Sequence, residues 1–212
     1  TNDNSAGFTV TDHFAGNAIE KLTYTTSDSL NDWWYPSMDY QVRSGSEVMG
    51  ASELVVGSDG NDDIVSFNIN AVHDNIFAGA GDDQIAVTGG HMVWAGDGND
   101  TLSLDTTAWI SGDAGVDTAI FNTSADVKVN LASHAESAWG LDAQQYAIGT
   151  QTARTIYSFE NVTTGTGADI LQGDDNANTL EAGAGADQLF GGAGNDVLIA
   201  GDGADVLLGG VS

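Results

Sequence analysis

Residues 164–212 read TGTGADILQ, GDDNANTLE, AGAGADQLF, GGAGNDVLI, AGDGADVLL, GGVS when cut into nines. Glycines favour the first, second and fourth places. The sixth place holds Asp169, Asn178, Asp187, Asp196 and Asp205, and the eighth holds Leu171, Leu180, Leu189, Leu198 and Leu207. Leucines nine apart fit neither helical spacing nor simple strand alternation, and glycine at this density disfavours helix. A six-residue loop followed by a three-residue strand does fit. Two such units make one turn of a flattened parallel solenoid with the leucines stacked inward. The expected fold class is therefore all-β, a parallel β-roll (β-solenoid) with Gly/Asp loops. Its core is thin, since five repeats stack only roughly 12 Å of sheet at ~4.8 Å per strand.

The same unit recurs upstream in a degenerate form. Within residues 48–120 the clear copies are GSDGNDDIV (57–65), AGAGDDQIA (78–86), AGDGNDTLS (95–103) and GDAGVDTAI (112–120). Weaker copies lie between them at 69–77, 89–94 and 104–111, and their uneven spacing predicts bulges, loops or skipped metal sites. Residues 121–163 break the period. There DVKVNL (126–131) and TIYSFENV (155–162) each alternate like a strand, around an Ala-rich stretch read as a helical turn or surface loop. Residues 1–47 hold short-strand patterns at 7–10 and 18–25 and a polar aromatic segment. Four regions follow: 1–47, 48–120, 121–163 and 164–212, with two repeat segments separated by a non-repeat insert.

Thirty-one acidic residues stand against four basic ones, for a net charge of -27, yet 41% of residues are apolar. Such a chain repels itself and stays open unless cations neutralise it. The charge excludes a nucleic-acid partner, which needs Lys and Arg. No apolar run approaches the ~20 residues of a membrane span. Cysteine is absent, so neither disulfides nor thiol ligands hold the chain; a secreted chain stabilised by metal fits.

The repeat chemistry points to calcium. In GGAGNDVLI the glycines let the loop curl tightly and aim carbonyls inward, while Asp196 turns a carboxylate into the same space. Calcium takes six to eight hard oxygens, mixing carboxylates with carbonyls. One loop cannot supply that many, so the natural pairing is one repeat with the next but one: Asp169 with Asp187, Asp187 with Asp205, Asn178 with Asp196. Asn178 offers an oxygen without charge, which predicts a weaker or rearranged site. Upstream, the sixth-place acids are Asp62, Asp83, Asp100 and Asp117. Asp59, Asp97 and Asp202, at the third place, either contribute or only add field. The loop glycines assigned to the cages are Gly57, Gly60, Gly79, Gly81, Gly96, Gly98 and Gly115, then Gly165, Gly167, Gly183, Gly185, Gly192, Gly194, Gly201 and Gly203. Two to four ions per array give roughly 5–8 in all.

The arrays resemble the calcium-binding repeats of secreted haemolysin- and serralysin-type bacterial proteins, the RTX family. VKVNLASHAES with TIYSFENVTTGTGADILQ is similar to the strand–insert–strand unit leading into such arrays, and GFTVTDHFAGNAIEKLTY to a capping segment. The resemblance implies type I secretion, folding on meeting extracellular calcium, and a stabilising or adhesive role beside other domains of a larger protein. It also implies that the sixth-place acids are ligands. Family secretion signals lie beyond such arrays, and the chain stops mid-repeat, so that signal and its cap are expected elsewhere.

An enzyme reading fails on inventory. His13, His73, His91 and His134 stand alone, and neither H-E-x-x-H nor G-x-S-x-G occurs. Any catalysis is expected in other parts of the parent protein. Aromatic residues leave a second reading. Trp33, Trp34, Tyr35 and Tyr40 cluster within eight residues, and Trp94, Trp109 and Trp139 are read as in or near loops. Exposed rings beside acids and calcium suit a carbohydrate or cell-surface ligand, but that reading stands second to rings that thicken a thin core or cap the solenoid end.

Overall fold

The computed structural model describes residues 7–10, 22–25, 54–67, 74–105, 108–132 and 145–210. Gly7–Val10 pairs antiparallel with Leu22–Thr25, where short strands were expected. The 33–40 aromatic cluster, Trp139 and most of the Ala-rich stretch lie outside the described residues. Among those described there is no helix, hence none that could cross a membrane.

From residue 54 the chain alternates between two sheets. A seven-stranded sheet, parallel throughout, contains Asp63–Phe67, Gln84–Thr88, Thr101–Leu104, Thr118–Phe121, Asn161–Thr163, Thr179–Glu181 and Val197–Ile199. The facing sheet has ten strands, from Leu54–Val56 at one end to Val206–Leu208 at the other. Each circuit outside the 121–163 insert adds one strand to each, and the chain is a β-solenoid of about seven turns. Register places like on like. Ile64, Ile85, Leu102, Ala119, Val162, Leu180 and Leu198 stack on one side, and Val55, Ile76, Val93, Ile110 and Ile156 on the other. Their side chains meet in a single core. Toward the last turn that core opens: Leu189 is fully buried but Leu207, one turn on, is 45% exposed.

The insert separates the repeat blocks along the chain but not in space. Thr118–Phe121 pairs directly with Asn161–Thr163, so the seven-stranded sheet passes through unbroken. The other sheet gains Val127–Asn130 and Gln145–Ile148 as an antiparallel wedge, with Arg154–Tyr157 rejoining the parallel stack beside Trp109–Ala114. Two expectations change here. TIYSFENV is two strands in different sheets, because Ser158 turns the chain through a left-handed φ of 53° and Phe159 drops into the core. The end of the Ala-rich stretch from Gln145 is strand, because Tyr146 is wholly buried: its hydroxyl accepts the Ala108 N–H at 2.6 Å and donates to the Ala108 carbonyl at 2.8 Å.

Trp94 lies within the strand Met92–Asp97, away from loops, whereas Trp109 opens the strand Trp109–Ala114. They belong to a row on the outer face of the ten-stranded sheet. Phe77 and Trp94 stack face to face at 4.4 Å, Trp109 tilts against Trp94 at 4.9 Å, and Tyr157 meets Trp109 edge-on at 5.8 Å. These rings spend their faces largely on each other, which is a packing role.

Candidate calcium sites

The loops stack along two edges of the solenoid. The first edge carries the turns from the ten-stranded to the seven-stranded sheet, at 57–62, 78–83, 95–100, 112–117, 158–160, 173–178 and 191–196. The second carries the return turns.

On the first edge the sixth-place carboxylates form a ladder. The backbone N–H of Asp62 donates to Asp83 Oδ1, that of Asp83 to Asp100 Oδ1, and that of Asp100 to Asp117 Oδ1, each at 2.8 Å. The Asn178 N–H donates to Asp196 Oδ1 at 3.0 Å. On the second edge the N–H groups of Val127, Asp169 and Asp187 donate to Asp169, Asp187 and Asp205 at 2.7, 2.8 and 3.0 Å. The pairing of each repeat with the next but one is thus a hydrogen-bonded contact in all three places where it was expected.

One oxygen of each carboxylate is spent in this way. The other, Oδ2, is buried without a partner in Asp83, Asp100, Asp117, Asp169, Asp187 and Asp196. An orphaned anionic oxygen costs several kcal/mol, ~1–3 or more, and six in phase is a pattern. Among the described residues no Lys or Arg lies within ion-pair distance of an acid. Burial accordingly pushes Asp83 up to about 6 and Asp117 up to about 7, against the pull of the N–H donors and with help from neighbouring acids. Asp100, Asp169 and Asp187 are raised for the same leading reason. A cation set against the free oxygens would offset that desolvation.

The glycines supply the rest of the cradle. Gly96 has φ +114°, and a Cβ there would stand 1.9 Å from the Gly79 carbonyl oxygen of the turn before. On the second edge a Cβ on Gly203 would stand 1.5 Å from the Gly185 carbonyl oxygen. Only bare Cα atoms let successive turns approach so closely, with backbone carbonyls beside the carboxylates. No three Asp, Glu or His side chains converge among the described residues. A site here would therefore draw on one or two carboxylates and on carbonyls, a donor set that suits calcium.

A family profile described as the RTX calcium-binding nonapeptide repeat matches four times, over residues 72–91, 92–106, 163–198 and 182–211. The chain carries RTX repeats. Among curated proteins, none matches. The RTX matches omit 57–65 and 112–120, yet the structure stacks both in register with the matched copies.

Asn178 turns its Oδ1 to the Asp174 N–H of its own loop at 2.9 Å, and its Nδ2 to the Glu160 carbonyl at 3.1 Å, so this RTX turn is rearranged. Asp62 likewise gives Oδ2 to the N–H and hydroxyl of Ser58. Asp59, Asp97 and Asp202 are exposed. A second ladder, at the fifth place, was not read from the sequence. Asn61 Oδ1 accepts the Asp82 N–H, Asp82 Oδ1 that of Asn99, and Asn99 Oδ1 that of Val116, at 2.9, 2.8 and 3.0 Å. The signal was present, since Asn or Asp precedes the sixth-place acid in three of those four loops (57–62, 78–83, 95–100). Two further stand-ins were missed. The Asp74 N–H donates to His91 Nδ1 at 3.1 Å on the second edge, and the Asp117 N–H to Glu160 Oε2 at 2.8 Å on the first.

Proposed function

We propose that this chain is a calcium-triggered folding and stabilising module of an exported bacterial protein. The single observation that supports this best is the set of six buried carboxylate oxygens without partners, stacked in phase along the two edges. Calcium would be held by Asp83, Asp100, Asp117, Asp169, Asp187 and Asp196 together with loop carbonyls. When bound, it supplies neutralising charge and hard-oxygen coordination that close each loop on the next. The rest is the chain's own work. Without the ion the acids repel and the glycine loops are free; with it the carbonyl cradles close and the short strands pair. Extracellular sites of this class work at roughly 10⁻⁴–10⁻³ M, so the chain stays open inside a cell and closes outside, where type I export would deliver it. No catalytic role is assigned. The carbohydrate reading rests on Trp33, Trp34, Tyr35 and Tyr40 alone, and the described rings lend it no support.

Far-ultraviolet circular dichroism tests the proposal. Chelator should abolish most of the strand signal, millimolar calcium should restore it, and magnesium should do so poorly because it demands tight octahedral geometry. A chain equally folded in all three conditions would sink it.

A further inference from the structure

The first edge crosses the insert at the turn 158–160, where the sequence has lost the repeat and the family match has stopped. The turn is only three residues long, yet it reproduces the cradle of a repeat loop. In 57–62, the point where a Gly57 Cβ would stand is 1.9 Å from the Ala78 carbonyl oxygen and 2.7 Å from Asp62 Oδ2. At the insert the corresponding point on Gly112 is 2.1 Å from the Ser158 carbonyl oxygen and 2.4 Å from Asp117 Oδ2. Ser158 presents that carbonyl from a left-handed backbone with φ 53°, at the register position that Ala78 and Gly112 hold in the repeat loops. Glu160 supplies the ladder hydrogen bond to the Asp117 N–H across 43 residues of sequence, in place of a sixth-place aspartate. Glutamate suits the shorter turn, because one more methylene lets its carboxylate span the gap.

Asp117 is fully buried, and its Oδ2 has no partner. A second carboxylate set against it adds repulsion and no neutralising charge. We propose that the calcium held at Asp117 is closed by residues outside the repeats: Asp117 Oδ2, the second oxygen of Glu160 and the Ser158 carbonyl hold it, with water completing the shell. The proposal rests on the calcium reading of the repeats and extends it to residues that no repeat pattern marks. In this role the site fastens the two repeat blocks together at the one place where the facing sheet is widened by its antiparallel wedge.

The test is an ion count on the full chain by native mass spectrometry at saturating calcium, for wild type and Glu160→Gln. Glutamine keeps an acceptor for the Asp117 N–H and removes the charge. The expected result is one ion fewer, with the strand signal retained. An equal count in a wild type that binds calcium overturns the splice site and leaves the repeat sites standing; a wild type that binds no calcium overturns both. If the variant does not fold, hydrogen exchange on the wild-type chain decides. Calcium-dependent protection of the 158–160 amides supports the site, whereas protection there that ignores calcium while the repeat loops respond overturns it.

Discussion

The two edges of the solenoid are built from the same chain and the same turn, but they do not carry the same chemistry. On the first edge a side-chain oxygen occupies every sixth-place position from Asp62 to Asp196, with Glu160 and Asn178 as stand-ins. On the second edge the acids form a ladder only from Asp169 onward. Before that its turns are closed by His91 on Asp74 and by Tyr146 on Ala108. The N-terminal half thus has a carboxylate stack on one side, its other side closed by a buried imidazole and a buried phenol; the C-terminal half has carboxylates on both sides. A parallel solenoid can close a turn with a neutral side chain in place of a carboxylate.

Calcium removal should expose this difference most strongly. With chelator, amide exchange in 164–210 is expected to rise toward unfolded rates, because both edges there lose their counter-charge. Residues 74–110 should keep residual protection on the His91 and Tyr146 side and in the longer strands. Uniform loss of protection in the two halves, measured by mass spectrometry at one chelator concentration, would break the comparison.

Acid should act on the metal-free chain in the opposite sense to most proteins. Asp83, Asp100, Asp117, Asp169 and Asp187 have folded pKa values raised above the ordinary 3.8, to about 6 at Asp83 and about 7 at Asp117. Between those limits the folded state binds more protons than the unfolded one, so stability falls as pH rises from about 4 to 7. Without calcium, strand signal should therefore grow on acidification through that interval. With calcium, affinity should weaken over the same interval as protons compete for the carboxylates. Circular dichroism and calcium titration at pH 5 and 7.5 check both signs.

Tyr146→Phe sharpens the second edge alone. It strips the Ala108 N–H and carbonyl of their buried partner, at a cost of about 1–3 kcal/mol. In saturating calcium the thermal midpoint should drop with no change in ion count. A lost ion would mean that this turn belongs to the calcium system after all.

Most of the fold was legible because the nine-residue period ties each inward leucine to a loop of fixed length. Leu171, Leu180 and Leu189 are buried as that period requires, and the expected carboxylate pairs meet. What failed to show in the sequence are replacements that work by geometry instead of pattern. Glu160 stands three residues after Tyr157, in a stretch that alternates like one continuous strand; only the Ser158 turn reveals two. His91 follows a Gly-Gly pair with no acid nearby in its own turn, and its role depends on Asp74 of the turn before. Tyr146 reaches Ala108 across 38 residues. Periodicity carries information between neighbours one turn apart in a regular array, and an insert that restores the stack through a different path removes that link.

The smallest expected effect separates field from coordination within one loop. Asp97 and Asp100 are three residues apart, both acidic, and indistinguishable by charge. Asp97 is exposed at the third place, whereas Asp100 is buried with Oδ1 on the Asp83 N–H and Oδ2 unpartnered. Asp97→Asn should therefore leave the ion count unchanged and shift stability by no more than about 0.5 kcal/mol, the range for exposed substitutions. It should weaken calcium affinity only slightly, and less at high salt, since the lost contribution is screened long-range attraction. Asp100→Asn keeps the ladder hydrogen bond but halves the charge available in its cage, and should lose an ion. If the two variants weaken calcium binding equally at both low and high salt, the loops act as a diffuse anionic surface rather than as cages. The distinction between buried and exposed acids, on which the two-edge comparison depends, would then have no functional content.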